Sequence, residues 1–265
     1  AHEGRRRKRR RGHHHRHGDM ALAFALHYIE TSGLARLTNY GEYLEHHPPA
    51  YEAEINEHSA WSCAHGVERW SGNCGCSTGM NPGWTQAWRA PLRRALNWLR
   101  DELAPLYEKQ ASLYLKDPWE ARNDYISVIL DRSPESQSEF LAKHALGKLG
   151  QAEQVKVLKL LEMQRHAMLM FTSCGWFFDE ITGIETLQIL KYAARVIQLA
   201  EETLGKKDLE PGFLKLLAEA KSNLPKYRDG AYVYEKYIKP ARVDLSKVGA
   251  HYAICSLFEE YDEHH

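Results

Sequence analysis

Cys63, His65, Cys74 and Cys76 form a Cys-x-His…Cys-x-Cys set within one short stretch of the chain. Zinc takes four nitrogen or sulfur ligands in a tetrahedron, and both residue types supply them. The usual structural zinc signature has two residues between paired cysteines, whereas here there is one. Two readings stand: a closed zinc site, or a cluster of thiols without metal. The one-residue spacing points to the second.

The same stretch carries Trp61, Trp70 and Trp84 among Gly66, Gly72, Gly75 and Gly83. Glycine breaks helices and gives loops unusual backbone angles. Indoles on such a loop are costly to leave in water unless they form a surface. A tryptophan face suits a sugar ring, with the axial C–H groups against it and the hydroxyls reaching polar groups around it. Trp61 and Trp70 are therefore candidate sugar contacts, and packing into the core is the competing reading. Further on, Cys174-Gly175-Trp176-Phe177-Phe178-Asp179-Glu180 lies between two long helical patterns. Gly175 permits a tight turn that is expected to expose Asp179 and Glu180. Two adjacent carboxylates can do acid/base work or bind hydroxyls. The competing reading is helix capping, which already explains Glu185. Cys174 paired with His166 or His65 as a nucleophile gains no support from the spacing.

Composition sets the frame for these groups. The chain has 265 residues and is 43% hydrophobic, enough for one large domain or two small ones. Its apolar runs, such as 168–171, are too short to span a bilayer. The basic N-terminal stretch is not followed by the apolar run of a signal peptide. Five cysteines, an odd number, do not read as a disulfide framework. The expectation is a cytoplasmic chain with no membrane partner. Net charge is zero, but Arg5 to Arg11 is an unbroken basic run, so the remainder is acidic. Residues 1–18 are expected to be a disordered, solvated segment. A nucleic-acid or nuclear-localisation arm is the alternative, and the acidic remainder argues against any nucleic-acid partner. His13, His14, His15 and His17 could take a metal ion adventitiously.

The elements that must position these groups read as mainly α. Asp19 is expected to cap a helix carrying Leu22, Ala25, Leu26 and Ile29 on one face, ended by Gly33. Residues 51–56 alternate apolar and polar, which predicts one half-buried strand after Pro48-Pro49. Trp84, Trp88, Leu92, Leu96, Leu99, Leu103 and Leu106 recur at helical spacing, with Pro91 and Pro105 as kinks or stops. Asp117-Pro118 and Ser133-Pro134 are helix starts. A long helix runs from about Gln151 to Phe171. Thr182 with Glu185 predicts a capping box opening a helix over Leu187, Leu190, Ala194 and Ile197. Glu210-Pro211 begins a shorter one, and short helices fill 232–261. The fold class expected is a helical bundle with one or two short strands and a Trp/Cys/Gly-rich loop near the N-terminal third. Residues 19–262 are treated as one compact unit.

Residues 12–22 and 37–44 resemble the end of the catalytic region of family-57 glycoside hydrolases, closest to a bacterial subgroup with an uncharacterised C-terminal helical domain. The rest of that likeness lies in Cys63 to Trp70, Cys74-Gly75-Cys76, Pro82-Gly83-Trp84 through Arg93, and Cys174 to Glu180. The resemblance implies a family acting on α-glucans by a retaining mechanism, with a Glu nucleophile and an Asp acid/base. It implies an incomplete β/α barrel followed by a helical bundle that closes the site. Family members carry a Ser-Trp loop with a second Trp nine residues on that stacks on sugars. Trp61 and Trp70 match that spacing, although Ala60 stands in the place of the Ser.

Arg7 stands where the acid/base Asp is expected, and the nucleophile segment would lie upstream of Ala1. No catalytic residue is therefore assigned to this chain, since a retaining glycosidase needs both carboxyl groups. The expected role is a C-terminal fragment of a glycoside hydrolase or glucanotransferase that lines the carbohydrate cleft and has little activity alone. Its expected partners are an α-glucan or oligosaccharide and an upstream catalytic barrel. The expected substrate-side residues are Trp61, Trp70, His13, Asp179 and Glu180. No cofactor is required, and zinc at Cys63, His65, Cys74 and Cys76 is the open alternative. The competing function is a Cys/His metal-binding structural or interaction module.

Overall fold

The computed structural model describes residues 18–258, so the basic run and His13 lie outside the described residues. The chain divides into two compact units between Glu57 and His58, in place of the single unit expected over 19–262.

The first unit holds α1 (Gly18–Ser32) and α2 (Tyr40–His46). Asp19 lies inside the first turn of α1 rather than capping it, where a carboxylate still meets the positive end of the helix dipole. Asn39 caps α2, its side-chain oxygen accepting from the Glu42 N–H at 3.0 Å. Arg36 and Thr38 both reach the Glu42 carboxylate. Neither helix buries a residue. The strand expected over 51–56 does not form: Tyr51 and Ile55 are exposed and the segment has no ladder. An alternating pattern makes a strand only where a neighbour takes its N–H and C=O groups. Among the described residues the only β pairings are two isolated bridges, Leu115 with Ala145 and Lys221 with Asp229.

The second unit is the helical bundle. It contains α3 (Arg89–Ala111), α4 (Pro118–Asp124), α5 (Ile126–Leu130), α6 (Pro134–His144), α7 (Gln151–Leu169), α8 (Ile184–Leu204), α9 (Leu209–Leu217), α10 (Gly230–Val233) and α11 (Leu245–Cys255). A π-helical turn, Tyr234–Ile238, continues α10.

The core follows from apolar stripes at helical period. In α3, Leu92, Leu96, Leu99, Leu103 and Tyr107 are fully enclosed. In α8, Ile189, Leu190, Ala193, Val196, Ile197 and Ala200 are likewise enclosed. Each such leucine or isoleucine contributes about 1.5–3 kcal/mol of transfer free energy. α7 packs along α8, and α3 packs on α7, α8 and α9.

Starts and stops follow the local chemistry. Asp117 accepts from the N–H groups of Trp119 and Glu120 at 2.8 and 2.9 Å, with Pro118 at the first helical position. Ser133 caps α6 in the same way. Pro105 sits inside α3 without ending it, since the stripe on both sides stays buried. α8 starts after Gly183 rather than from a Thr182 cap, and Gly205 ends it at φ 67°. No described helix is long and apolar enough to cross a membrane.

Candidate metal centre and the loops around it

Two loops of the second unit converge on the N-terminal end of α3. The first runs over 58–88 and contains one short 3-10 turn, Glu68–Trp70. The second runs over 170–183, between α7 and α8, and contains the 3-10 turn Ser173–Trp176.

In the first loop Cys63, His65, Cys74 and Cys76 meet. Their ligand atoms all lie within 4.8 Å of one another. Cys63 Sγ is 3.8 Å from Cys74 Sγ, 3.7 Å from Cys76 Sγ and 3.9 Å from His65 Nδ1. Cys76 Sγ is 3.5 Å from His65 Nδ1. Cys63 is buried, Cys74 and Cys76 are half-buried, and His65 is exposed. Burial alone would push the Cys63 thiol up. Hydrogen bonds from the His65 and Arg69 backbones and the His65 ring outweigh it and bring the thiol down to about 6. The Cys76 thiol is pushed up, first by burial and then by its two thiol neighbours.

Gly75 turns at φ 76°, in the left-handed region that favours glycine, between its two cysteines. Gly66, at φ 68°, brings the chain so close to His58 that a Cβ there would stand 2.2 Å from the His58 carbonyl oxygen.

Two buried arginines tie the loops together. Arg69 donates to the carbonyls of Ser62 at 2.8 Å and Phe177 at 3.0 Å. Arg89 donates to the carbonyls of Cys76 at 3.0 Å and Phe178 at 3.2 Å. Burial, and next the charge of Arg69, lower the pKa of Arg89. Trp88 and Trp176 complete the joint: Trp88 Nε1 reaches the Asp179 carbonyl and Trp176 Nε1 the Arg89 carbonyl, both at 3.3 Å.

Asp179 and Glu180 are inside this joint, contrary to the exposed turn expected for them, at 5% and 8% exposure. The Asp179 carboxylate accepts from the Thr78 N–H at 3.0 and 3.1 Å and from the Thr78 hydroxyl. Glu180 accepts from the Ser222 hydroxyl at 2.5 Å and the Asn223 N–H at 2.9 Å. Buried carboxylates of this kind fasten loops, because backbone donors take up the lone pairs a substrate hydroxyl would need. Gly175 is needed for close approach to Ile189, not to open a turn. Cys174 is exposed, and no described contact places it beside His166 or His65.

The two tryptophans part company. Trp61 is 92% exposed, its ring 5.9 Å from that of Phe177 at 33°. Arg69 lies 4.8 Å under the Phe177 ring, and Phe178 meets Phe177 edge-on. Trp70 is half-buried against the core, with Nε1 donating to the Ser173 carbonyl at 2.9 Å. Trp61 is thus open to solvent while Trp70 is anchored against the core. The sequence offered no signal for Phe177 as the partner of Trp61, or for Arg69 and Arg89 as the clamps.

A family model described as a domain of unknown function (DUF3536) matches residues 84–265. The chain belongs to this family. The DUF3536 region takes in α3 to α11 and the Phe177 loop, while the Cys/His cluster and Trp61 lie ahead of it. No curated protein and no solved structure matches the chain.

Proposed function

We propose that this chain acts as the C-terminal part of a family-57-type α-glucan-active protein and presents Trp61 to a glucose ring. The observation that carries the reading is an indole 92% exposed yet seated against Phe177. A free indole in water is unfavourable unless a partner covers it, and a sugar's C–H face is a suitable cover. Phe178, 38% exposed, extends the ledge. The likeness of residues 12–22, 37–44, 63–70, 74–76, 82–93 and 174–180 to that family adds the substrate class. Asp179 and Glu180 support the ledge from behind rather than touching sugar. α1 exposes Met20, Leu22, Phe24 and Tyr28, an apolar set suited to covering by a catalytic barrel. The free cysteines fit a reducing, cytoplasmic compartment.

Maltoheptaose titrated into the full chain tests this. One aromatic ledge without the opposing wall of a cleft should bind in the millimolar range, about −4 kcal/mol. Tryptophan fluorescence should shift on binding. Trp61→Ala should abolish the shift and leave the melting temperature unchanged, because the ring is exposed. Trp70→Ala should instead cost about 2–4 kcal/mol of stability, as a truncation at the edge of a core. Binding that survives Trp61→Ala, or no binding at all, overturns the proposal.

A further inference from the structure

We propose that Cys63, His65, Cys74 and Cys76 form a closed, tetrahedral zinc site that pins the two arms of the 58–88 loop together. The inference does not depend on sugar binding. It rests first on distance. With Zn–S of about 2.3 Å and Zn–N of about 2.0–2.1 Å, a regular tetrahedron has S···S edges of about 3.8 Å and S···N edges of about 3.5 Å. The observed S···S separations are 3.8 and 3.7 Å, and the S···N separations are 3.5 and 3.9 Å. Four donors are thus already spaced around one ion.

The alternatives fit less well. A disulfide needs an S–S distance of about 2.05 Å, and Cys63 stands almost equally far from both other thiols, so no pair is singled out. A multinuclear iron–sulfur cluster spreads its cysteines over separate iron atoms, whereas here all four donor atoms lie within 4.8 Å. A soft S₃N set with tetrahedral spacing selects zinc among single divalent ions.

Charge supplies the second argument. Zinc with three thiolates and a neutral imidazole carries one net negative charge. Arg89 and Arg69 are buried beside the cluster and give their hydrogen bonds to neutral carbonyls. Buried cations need counter-charge nearby. A zinc–thiolate centre supplies that charge next to the Cys76 carbonyl, which Arg89 already holds.

Four protein ligands leave no open position, so the site is structural rather than catalytic. The arm at 61–65 and the arm at 74–78 would be cross-linked through one ion. That cross-link fixes Trp61 at one end and Thr78, the partner of Asp179, at the other.

The test uses the full chain, purified under reducing conditions. Elemental analysis should find about one tightly held zinc per chain. The histidines at 13, 14, 15 and 17 are an internal confounder, so cobalt replaces zinc in a second arm. Tetrahedral cobalt with thiolate ligands gives intense visible bands and a sulfur charge-transfer band that histidines alone cannot produce. Replacing all four of those histidines with Ala should leave the cobalt spectrum unchanged, as should Cys174→Ser. Cys74→Ser should weaken cobalt binding by about 100-fold or more. Because that variant could misfold, the spectrum of the unaltered chain decides on its own. Absence of the charge-transfer band, iron in place of zinc, or a disulfide within the cluster by mass spectrometry in the reduced protein overturns the proposal.

Discussion

Asp179 takes both donors of Thr78, a residue far away in sequence, and so joins the 58–88 loop to the loop before α8. Asp179→Ala removes the acceptor of the Thr78 N–H, and because Thr78 is exposed, water can take its place. The expected cost is about 0.5–1.5 kcal/mol, the net range for an ordinary hydrogen bond. Amide exchange at Thr78 should rise far more than exchange in α9, which Asp179 does not touch. Equal acceleration at both would mean global loosening and would remove Asp179 from its fastening role. Neither carboxylate's burial could be read from the sequence. Adjacent Asp and Glu after a glycine look the same whether they face water or distant backbone donors, and only the fold brings Thr78 and Ser222 to them. The Cys/His set was legible as a group, because its residue types are rare and close together. Its convergence was not, because it depends on the left-handed turn at Gly75.

At the scale of elements, the loop over 170–183 keeps its place because Gly175 lets it lie directly on α8. A Cβ at Gly175 would stand 2.4 Å from Ile189 Cδ1 and 2.9 Å from two other Ile189 carbons. Those atoms belong to a fully enclosed side chain with no room to swing. Gly175→Ala should therefore destabilise by about 1–3 kcal/mol, the range for overpacking a filled core. Ile189→Val removes the nearest of the three atoms, so the double variant should recover part of that loss. Chemical denaturation of all four proteins in a double-mutant cycle measures the coupling. Additive effects would show that the contact does not set the loop's position. The helices on either side were legible because burial imposes a period: α3 and α8 carry unbroken stripes, and Asp117 and Ser133 cap where their types predict. The segment over 51–56 misled because alternation reports only a residue pattern. Strand formation needs a partner, and no described residues provide one.

Across the second unit, one ionisable pair on α7, His166 and Glu162, touches side chains of other segments and should report on the fold's response to acid. His166, on α7, sits beside the Tyr192 ring of α8 at 5.9 Å, and its Nδ1 is 2.8 Å from the Glu162 carbonyl. Burial holds its pKa below the ordinary histidine value, with Arg165 and Arg195 acting the same way and Glu162 opposing. Burial would raise Glu162, but hydrogen bonds from Arg132, Tyr125 and Arg165 outweigh it and hold that carboxyl below the usual range. Both shifts have the same sign for stability: the unfolded chain takes up protons that the folded chain refuses. The His166 contribution is complete above about pH 6.5 and declines as pH falls through that value toward its lower folded pKa. The Glu162 contribution is complete above about pH 4.3 and is lost as pH falls further. The melting temperature should therefore fall in two stages on acidification. His166→Asn keeps a donor near the Glu162 carbonyl but cannot titrate, so it should flatten the first stage and leave the second. Glu162→Gln should lower stability at neutral pH, by breaking the bonds to Tyr125 and Arg132, and should shrink the second stage, to which Asp124, Asp131 and Asp208 also contribute. Melting curves recorded from about pH 7.5 to pH 3.5 separate the two. A first stage of unchanged size in His166→Asn would assign it to another group and sink the argument.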